Sequence, residues 1–247
     1  MNFDKIRFIG FSDKKLKNFL DKSNYVFWEW ADKLKHHKDI EYVKIYSKDA
    51  VLFGKEFGRV QVFVKKKDIY KGIITLRKKA VAIGVFVFSD DIYQLNVKQF
   101  RYPTLDQTEE IVAGLIDFNE KNIENTIKKE LTEEIGQEIA PFVENSKAIY
   151  INALYPTIGD SSEEVFLYAL FLKAPKDVVK KLCVKEAGNK EEHEYTKVCC
   201  LKGMENILNH RYNDAKSFII QLWLKAKYLE FKSSSCESFE DFITKMC

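Results

Sequence analysis

The chain has 247 residues, of which 46% are apolar and 31% charged. That excludes a disordered, charge-dominated polypeptide and leaves room for one large domain, or one domain with a substantial arm. The formal charge of +3 hides an asymmetry: residues 1–79 carry 20 Lys+Arg against 10 Asp+Glu, a net of +10, whereas residues 80–247 carry 20 against 27, a net of −7. Within the acidic part, residues 104–144 hold 11 acidic and 3 basic side chains.

No membrane association is expected. The longest apolar runs, such as Ala80–Phe88, are about half the length of a membrane-spanning helix, and the opening MNFDKIRFIG is too mixed in charge for a secretory signal. Five cysteines (Cys183, Cys199, Cys200, Cys236, Cys247) show no CxxC pair. This predicts reduced thiols without a zinc site and, with them, a cytosolic protein.

Taken along the chain, residues 12–38 read as helical, with Leu16, Phe19, Leu20, Phe27, Trp30, Ala31 and Leu34 at helical spacing. From about Glu41 the period changes. Val60–Val64 alternates, Ile69–Leu76 is strand-like, and Lys65–Asp68 is expected at a turn. Ala80–Phe88 is a buried strand ending at Ser89-Asp90-Asp91, and Ile92–Arg101 is its hairpin partner. Glu110–Ile116 is a short strand, Ile123–Ile135 a helix, and Ala148–Leu154 and Val165–Lys173 are strands. Asp177–Cys183 is helical, Tyr195–Leu201 a strand, and Met204–Leu208 and Asp214–Leu229 helices. Residues 233–247 are expected as a loosely held tail. Without regular βαβ alternation, this order argues for a mixed α/β sandwich.

The informative segment is Glu110–Gly136. A strand reaches Gly114, and after a loop a helix opens near Asn122, a suitable N-cap. Ile123, Ile127, Leu131 and Ile135 form its buried stripe. Glu130 and Glu134 lie four apart on the edge of that stripe, and Glu133 lies three from Glu130. Like charges at this spacing repel, and partial burial raises the cost of ionising them. A divalent cation removes the conflict; an ordinary Glu-rich helix is the alternative. Mg²⁺ fits by its preference for oxygen ligands shared between carboxylates and substrate phosphates. The four histidines form no metal pattern, and no Ser/His/Asp or Cys/His arrangement stands out. The basic N-terminal lysines are scattered without an RNA-binding aromatic motif, so nucleic acid is not the expected partner.

Gly114 followed by Lys129-Glu130-Leu131-Thr132-Glu133-Glu134-Ile135-Gly136 resembles the signature of the Nudix hydrolases. Val97–Arg101 and Ala113–Asp117 are similar to the branch that hydrolyses ADP-ribose and other nucleoside-diphosphate sugars. The resemblance covers roughly residues 76–230. It departs from the family pattern at Lys129, where the signature has Arg; at the loop after Gly114, one residue longer, which puts Glu120 off register; and at Gln137, where an aliphatic residue is usual. Lys129 and the longer loop are similar to UDP-sugar pyrophosphatases.

The resemblance implies an α/β/α sandwich around a mixed sheet over residues 76–232, an N-terminal helical and β-rich arm over 1–75 that pairs subunits into a homodimer, and the tail 233–247. It implies Mg²⁺, with Mn²⁺ as a substitute, held by Glu130, Glu133, Glu134 and the Ala113 carbonyl. It implies a phosphate contact from Arg101, substrate contacts from Glu110 and Glu164, a base-stacking role for Trp28, and a general base on a late loop. Glu194 fits that loop best, with Glu192 and Glu191 as fallbacks. The expected reaction is hydrolysis of a nucleoside-diphosphate sugar, ADP-ribose before UDP-glucose. The rival is a Nudix-fold module that binds nucleotide or RNA without catalysis.

Overall fold

The computed structural model describes residues 5–53, 57–65, 69–187 and 196–246, and the chain divides into two compact units. The first comprises Met1–Lys79 with the short stretches Asp117–Asn119 and Tyr155–Glu164. Its elements are β1 (Ile6–Ile9), α1 (Asp13–Phe19), α2 (Tyr25–Lys35), β2 (Tyr42–Tyr46), β3 (Val51–Phe53), β4 (Phe57–Lys65) and β5 (Ile69–Arg77).

The helical region expected over 12–38 forms two helices. Asn24 explains the break: its amide donates to the Asn18 and Phe19 carbonyls at 2.9 and 3.0 Å and so satisfies the end of α1. β4 is the hub of the sheet, pairing antiparallel with β2, β3 and β5, while β1 adds parallel to β2. Alternating Val60 and Val62 join Phe27, Val43, Ile45 and Leu76 in a core of this unit's own. The region expected as an arm therefore has the core of a folded unit.

The second unit contains Ala80–Ile116, Glu120–Leu154 and Val165–Cys247. Its strands are β6 (Ala80–Phe88), β7 (Ile92–Arg101), β8 (Asp106–Glu110), β9 (Val112–Leu115), β10 (Lys147–Leu154), β11 (Val165–Lys173), β12 (Glu186–Ala187) and β13 (Thr196–Lys202). Its helices are α3 (Ile123–Glu134), α4 (Ala140–Val143), α5 (Lys176–Leu182), α6 (Met204–Asn209), α7 (Ala215–Lys232) and α8 (Phe239–Lys245). The strand order is β10-β11-β6-β7-β13-β12, with β8 added to β7 and β9 to β6. β6 and β11 run parallel and the other pairings are antiparallel.

Apolar side chains line both faces of β6, as its unbroken hydrophobic run requires. Val81, Ile83, Val85 and Val87 face α3, α4 and α5, while Ala82 and Phe86 face α6, α7 and α8. The unit is thus an α/β/α sandwich with a mixed sheet, as expected. Among the described residues no helix is long and apolar enough to cross a membrane.

Two expectations fail. The tail beyond residue 232 carries α8, whose Phe239 and Ile243 are buried in the second core layer. Lys147 donates to the carbonyls of Ile243 and Thr244, both at 2.9 Å, holding the C-terminal end of α8. The second failure concerns the thiols. Cys183, at the end of α5, and Cys200, on β13, form a disulfide with Cα atoms 5.3 Å apart, a separation typical of such bonds. Adjacent strand residues face opposite ways, which is why Cys200 reaches α5 while Cys199 remains a free thiol on the other face.

Candidate active site

The site is built where α3 crosses β9. Asn122 caps α3 by accepting from the Glu124 N–H at 3.0 Å, which fixes the register of the helix. Ile127, Leu131 and Ile135 then face the core, and the i, i+4 spacing brings Glu130 and Glu134 down with them. Both glutamates are buried, at 8% and 5% exposure, whereas Glu133 is only partly covered. Gly114 makes this possible. A Cβ at that position would lie 1.9 Å from Glu130 Cδ and 2.1 and 2.2 Å from its two carboxylate oxygens. The carboxylate of Glu130 thus occupies the space that any side chain at residue 114 would take. One residue earlier, the Ala113 N–H donates to Glu134 Oε2 at 3.2 Å. Gly136, with a φ of +125°, turns the chain away after α3.

The neighbouring strands supply a cation. Arg101, at the end of β7, meets Glu110, at the end of β8, as a two-pronged ion pair: Nε to Oε1 at 2.7 Å and Nη2 to Oε2 at 2.8 Å. Thr108 Oγ1 also donates to Glu110 Oε1 at 2.5 Å, and Lys216 Nζ stands 3.9 Å from Oε2. Burial pushes the Glu110 carboxyl upward, but the Arg101 and Thr108 hydrogen bonds outweigh it and hold it below the usual carboxylate range. Hydrogen bonding to Glu110 likewise holds the Arg101 guanidinium above its ordinary value, with smaller contributions from the charges of Glu134 and Asp214. The Arg101 side chain is 42% exposed against 5% for Glu110. Arg101 is therefore the member of the pair able to meet a phosphate. Glu110, expected as a substrate contact, has both oxygens engaged by Arg101 and Thr108 and so holds Arg101 in place.

The other expected residues fall in the first unit, at the start of α3 or outside the described residues. Glu164 belongs to the first unit, where it pairs with Lys79 at 3.6 Å, next to the Arg77–Glu163 pair at 3.2 Å. The segment before it, expected as a substrate loop, runs beside β5 through Thr75 N to Asp160 O at 2.7 Å and Ser162 N to Thr75 O at 2.9 Å. Trp28 packs against the core of the first unit, its indole N–H donating to the Asp21 carbonyl at 2.9 Å. Glu120 accepts from the Asn122 N–H at 2.8 Å and supports the start of α3. Glu191, Glu192 and Glu194 lie outside the described residues. Burial, and then the charge of Glu109, push the Cys199 thiol up to about 12.

Four residues with a part in the site were not anticipated: Thr108, Asp214, Lys216 and Ser217. The last three form the start of α7, where Asp214 caps the helix through the Ser217 N–H at 2.9 Å. Their capping pattern is readable in sequence; their proximity to β8, more than a hundred residues earlier, is not.

Among the described residues, no group of three or more His, Cys, Asp and Glu side chains is gathered into a ready-made metal cage. Two buried carboxylates beside a strand backbone nevertheless suit Mg²⁺, which is commonly held by one or two carboxylates together with waters and substrate phosphates.

An α/β/α sandwich whose helical glutamates rest on a glycine of the central sheet defines the class of site. The sequence relationship agrees with it. The chain is 27% identical over 215 residues to Nudix hydrolase 14, chloroplastic, of Arabidopsis thaliana, and the match covers 76% of this chain and 66% of that protein. The chain is thus similar to a Nudix hydrolase, and no protein-family model matches it. A crystal structure of an ADP compounds hydrolase superposes with a TM-score of 0.48 at 15% identity, over 76% of this chain and 94% of the other.

Two outcomes are expected from this geometry. Gly114→Ala should displace the Glu130 carboxylate and lower Mn²⁺ affinity at least tenfold while circular dichroism stays native; unchanged affinity would show that the close contact has no bearing on the site. The second outcome concerns pH. The folded value of Glu110 is depressed, so its ionised form stabilises the fold above its unfolded value of about 4.3. That contribution is lost as pH falls through the lowered folded value. Glu110→Gln should therefore reduce the urea midpoint by more at pH 7 than at pH 3. A gap of the same size at both pH values would contradict the assignment.

Proposed function

We propose that this chain hydrolyses the pyrophosphate bond of a nucleoside-diphosphate sugar in a divalent-metal-dependent reaction, with ADP-ribose preferred over UDP-glucose. The products are a nucleoside monophosphate and a sugar phosphate. The observation that carries the reading is the pair of buried glutamates, Glu130 and Glu134, seated on Gly114 and Ala113, with the Arg101–Glu110 pair on the adjoining strands. Sequence relationship to a Nudix hydrolase supports the reaction class. The strings Val97–Arg101 and Ala113–Asp117 support the choice of substrate by their resemblance to the ADP-ribose branch.

In this reading Glu130 and Glu134 hold Mg²⁺ or Mn²⁺, with Glu133 and the Ala113 carbonyl completing the set. The bound ion supplies charge neutralisation of the pyrophosphate and acidification of a water. Arg101, kept in place by Glu110, directs its outward N–H groups to a phosphate oxygen and fixes the orientation of the phosphorus under attack. Burial of the glutamates keeps the site's electrostatics strong by excluding water from that side. A carboxylate must take the proton of the attacking water. Glu194 is the first choice and Glu192 the second, a role that rests on the resemblance alone. The reading includes a homodimer on the same basis.

The test is a substrate panel of ADP-ribose, UDP-glucose, NADH and capped RNA, each with and without Mg²⁺. Turnover should depend on Mg²⁺ and be fastest with ADP-ribose. Glu134→Gln should lower kcat by about a hundredfold or more, ~2.7 kcal/mol of barrier, with KM changed only a few-fold. No metal-dependent turnover of any member, and no difference in Glu134→Gln, would overturn the proposal in favour of a binding module.

A further inference from the structure

Between β8 and β9 the chain changes partners. Glu110 still pairs with Val97 of β7, while Val112 already pairs with Ile83 of β6. Ile111, between them, belongs to neither ladder and is 1% exposed. Its N–H donates to Ser217 Oγ at 3.0 Å, 106 residues further along the chain. Ser217 is fully buried. Its own hydroxyl proton goes to Asp214 Oδ2 at 2.7 Å, which leaves the oxygen lone pairs available to Ile111. Asp214 Oδ1 takes Lys216 Nζ at 2.6 Å, and Lys216 in turn stands 3.9 Å from Glu110.

We propose that Ser217 is a positioning residue that sets the phosphate-binding half of the site in register with its metal-binding half. This inference rests on the functional reading above. The residue on one side of the splice, Glu110, orients Arg101. The residues on the other side, Ala113 and Gly114, receive Glu134 and Glu130. Ile111 and Val112 join the two halves, and the Ile111 N–H is held by Ser217 Oγ. A buried N–H without an acceptor is costly. Removing the hydroxyl therefore drives Ile111 to seek another partner, and a shift of the splice moves both halves at once. Displacements of about 1 Å at such a distance from the reacting atoms are enough to cost about a hundredfold in rate. Asp214 acts through Ser217 by fixing the direction of its hydroxyl.

The test compares wild type, Ser217→Ala and Ser217→Cys, the last keeping the shape with a weaker acceptor. The readouts are Ile111 amide exchange by NMR, Mn²⁺ affinity by electron paramagnetic resonance, and steady-state kinetics on ADP-ribose. In Ser217→Ala, faster exchange at Ile111, Mn²⁺ affinity reduced at least threefold and kcat reduced at least tenfold are expected, with smaller losses in Ser217→Cys. Faster exchange with Mn²⁺ affinity and kcat within twofold of wild type would overturn the proposal, since a merely structural serine gives that pattern. Unchanged exchange would overturn it as well. If the wild type turns over no substrate, the failure belongs to the functional reading, and Mn²⁺ affinity alone then decides on Ser217. If Ser217→Ala does not fold, Ser217→Cys carries the same three comparisons.

Discussion

The candidate site depends on one close approach, that of the Glu130 carboxylate to the backbone of Gly114. A carboxylate can lie there only because residue 114 has no Cβ. From that contact the rest follows. The helix must present Glu130 inward, so its apolar stripe must be Ile127, Leu131 and Ile135, and Glu134 is carried one turn further onto the Ala113 N–H. The helix can keep that register because Asn122 fixes its start and Gly136 permits the chain to leave it. Two buried acids on one turn are a liability to stability by themselves. Their presence beside a strand backbone is what makes the site read as chemistry and not as packing.

Arg101 and Glu110 solve a different problem. A guanidinium at the end of a strand needs to be held still if it is to meet a phosphate as proposed, and Glu110 holds Arg101 with both oxygens. Its position is in turn fixed by Thr108 on the same strand and by the start of α7. Its charge is used to orient a cation.

Much of this was legible in sequence. The edges of α3, its cap and its buried stripe follow from periodicity and the Asn122 signal. The two-sided burial of β6 follows from an apolar run without alternation. The failures share a cause, which is that local pattern carries no information about distant partners. Ile111 reads as the interior of one strand, Glu110–Ile116, because nothing nearby reveals that the ladder changes there. Phe239 and Ile243 sit in a polar stretch after Ser233-Ser234-Ser235, and their burial depends on the second core layer. The pairing of Cys183 with Cys200 depends on where α5 lies over β13. The acidity of residues 104–144 also reads differently once partners are known. Glu110 faces Arg101, Glu109 faces Lys98 and His210, and Glu138 faces Lys185. Part of the segment's negative charge is therefore matched by cations from elsewhere in the chain.

The most direct measurement of the central claim is a crystal structure of the protein soaked with Mn²⁺, using anomalous scattering to locate the ion. The account requires a peak at coordinating distance, about 2.0–2.3 Å, from oxygens of Glu130 and Glu134 and on the Ala113 side of β9. An ordered Mn²⁺ bound elsewhere, with Glu130 still seated on Gly114 and no ion beside it, would contradict it.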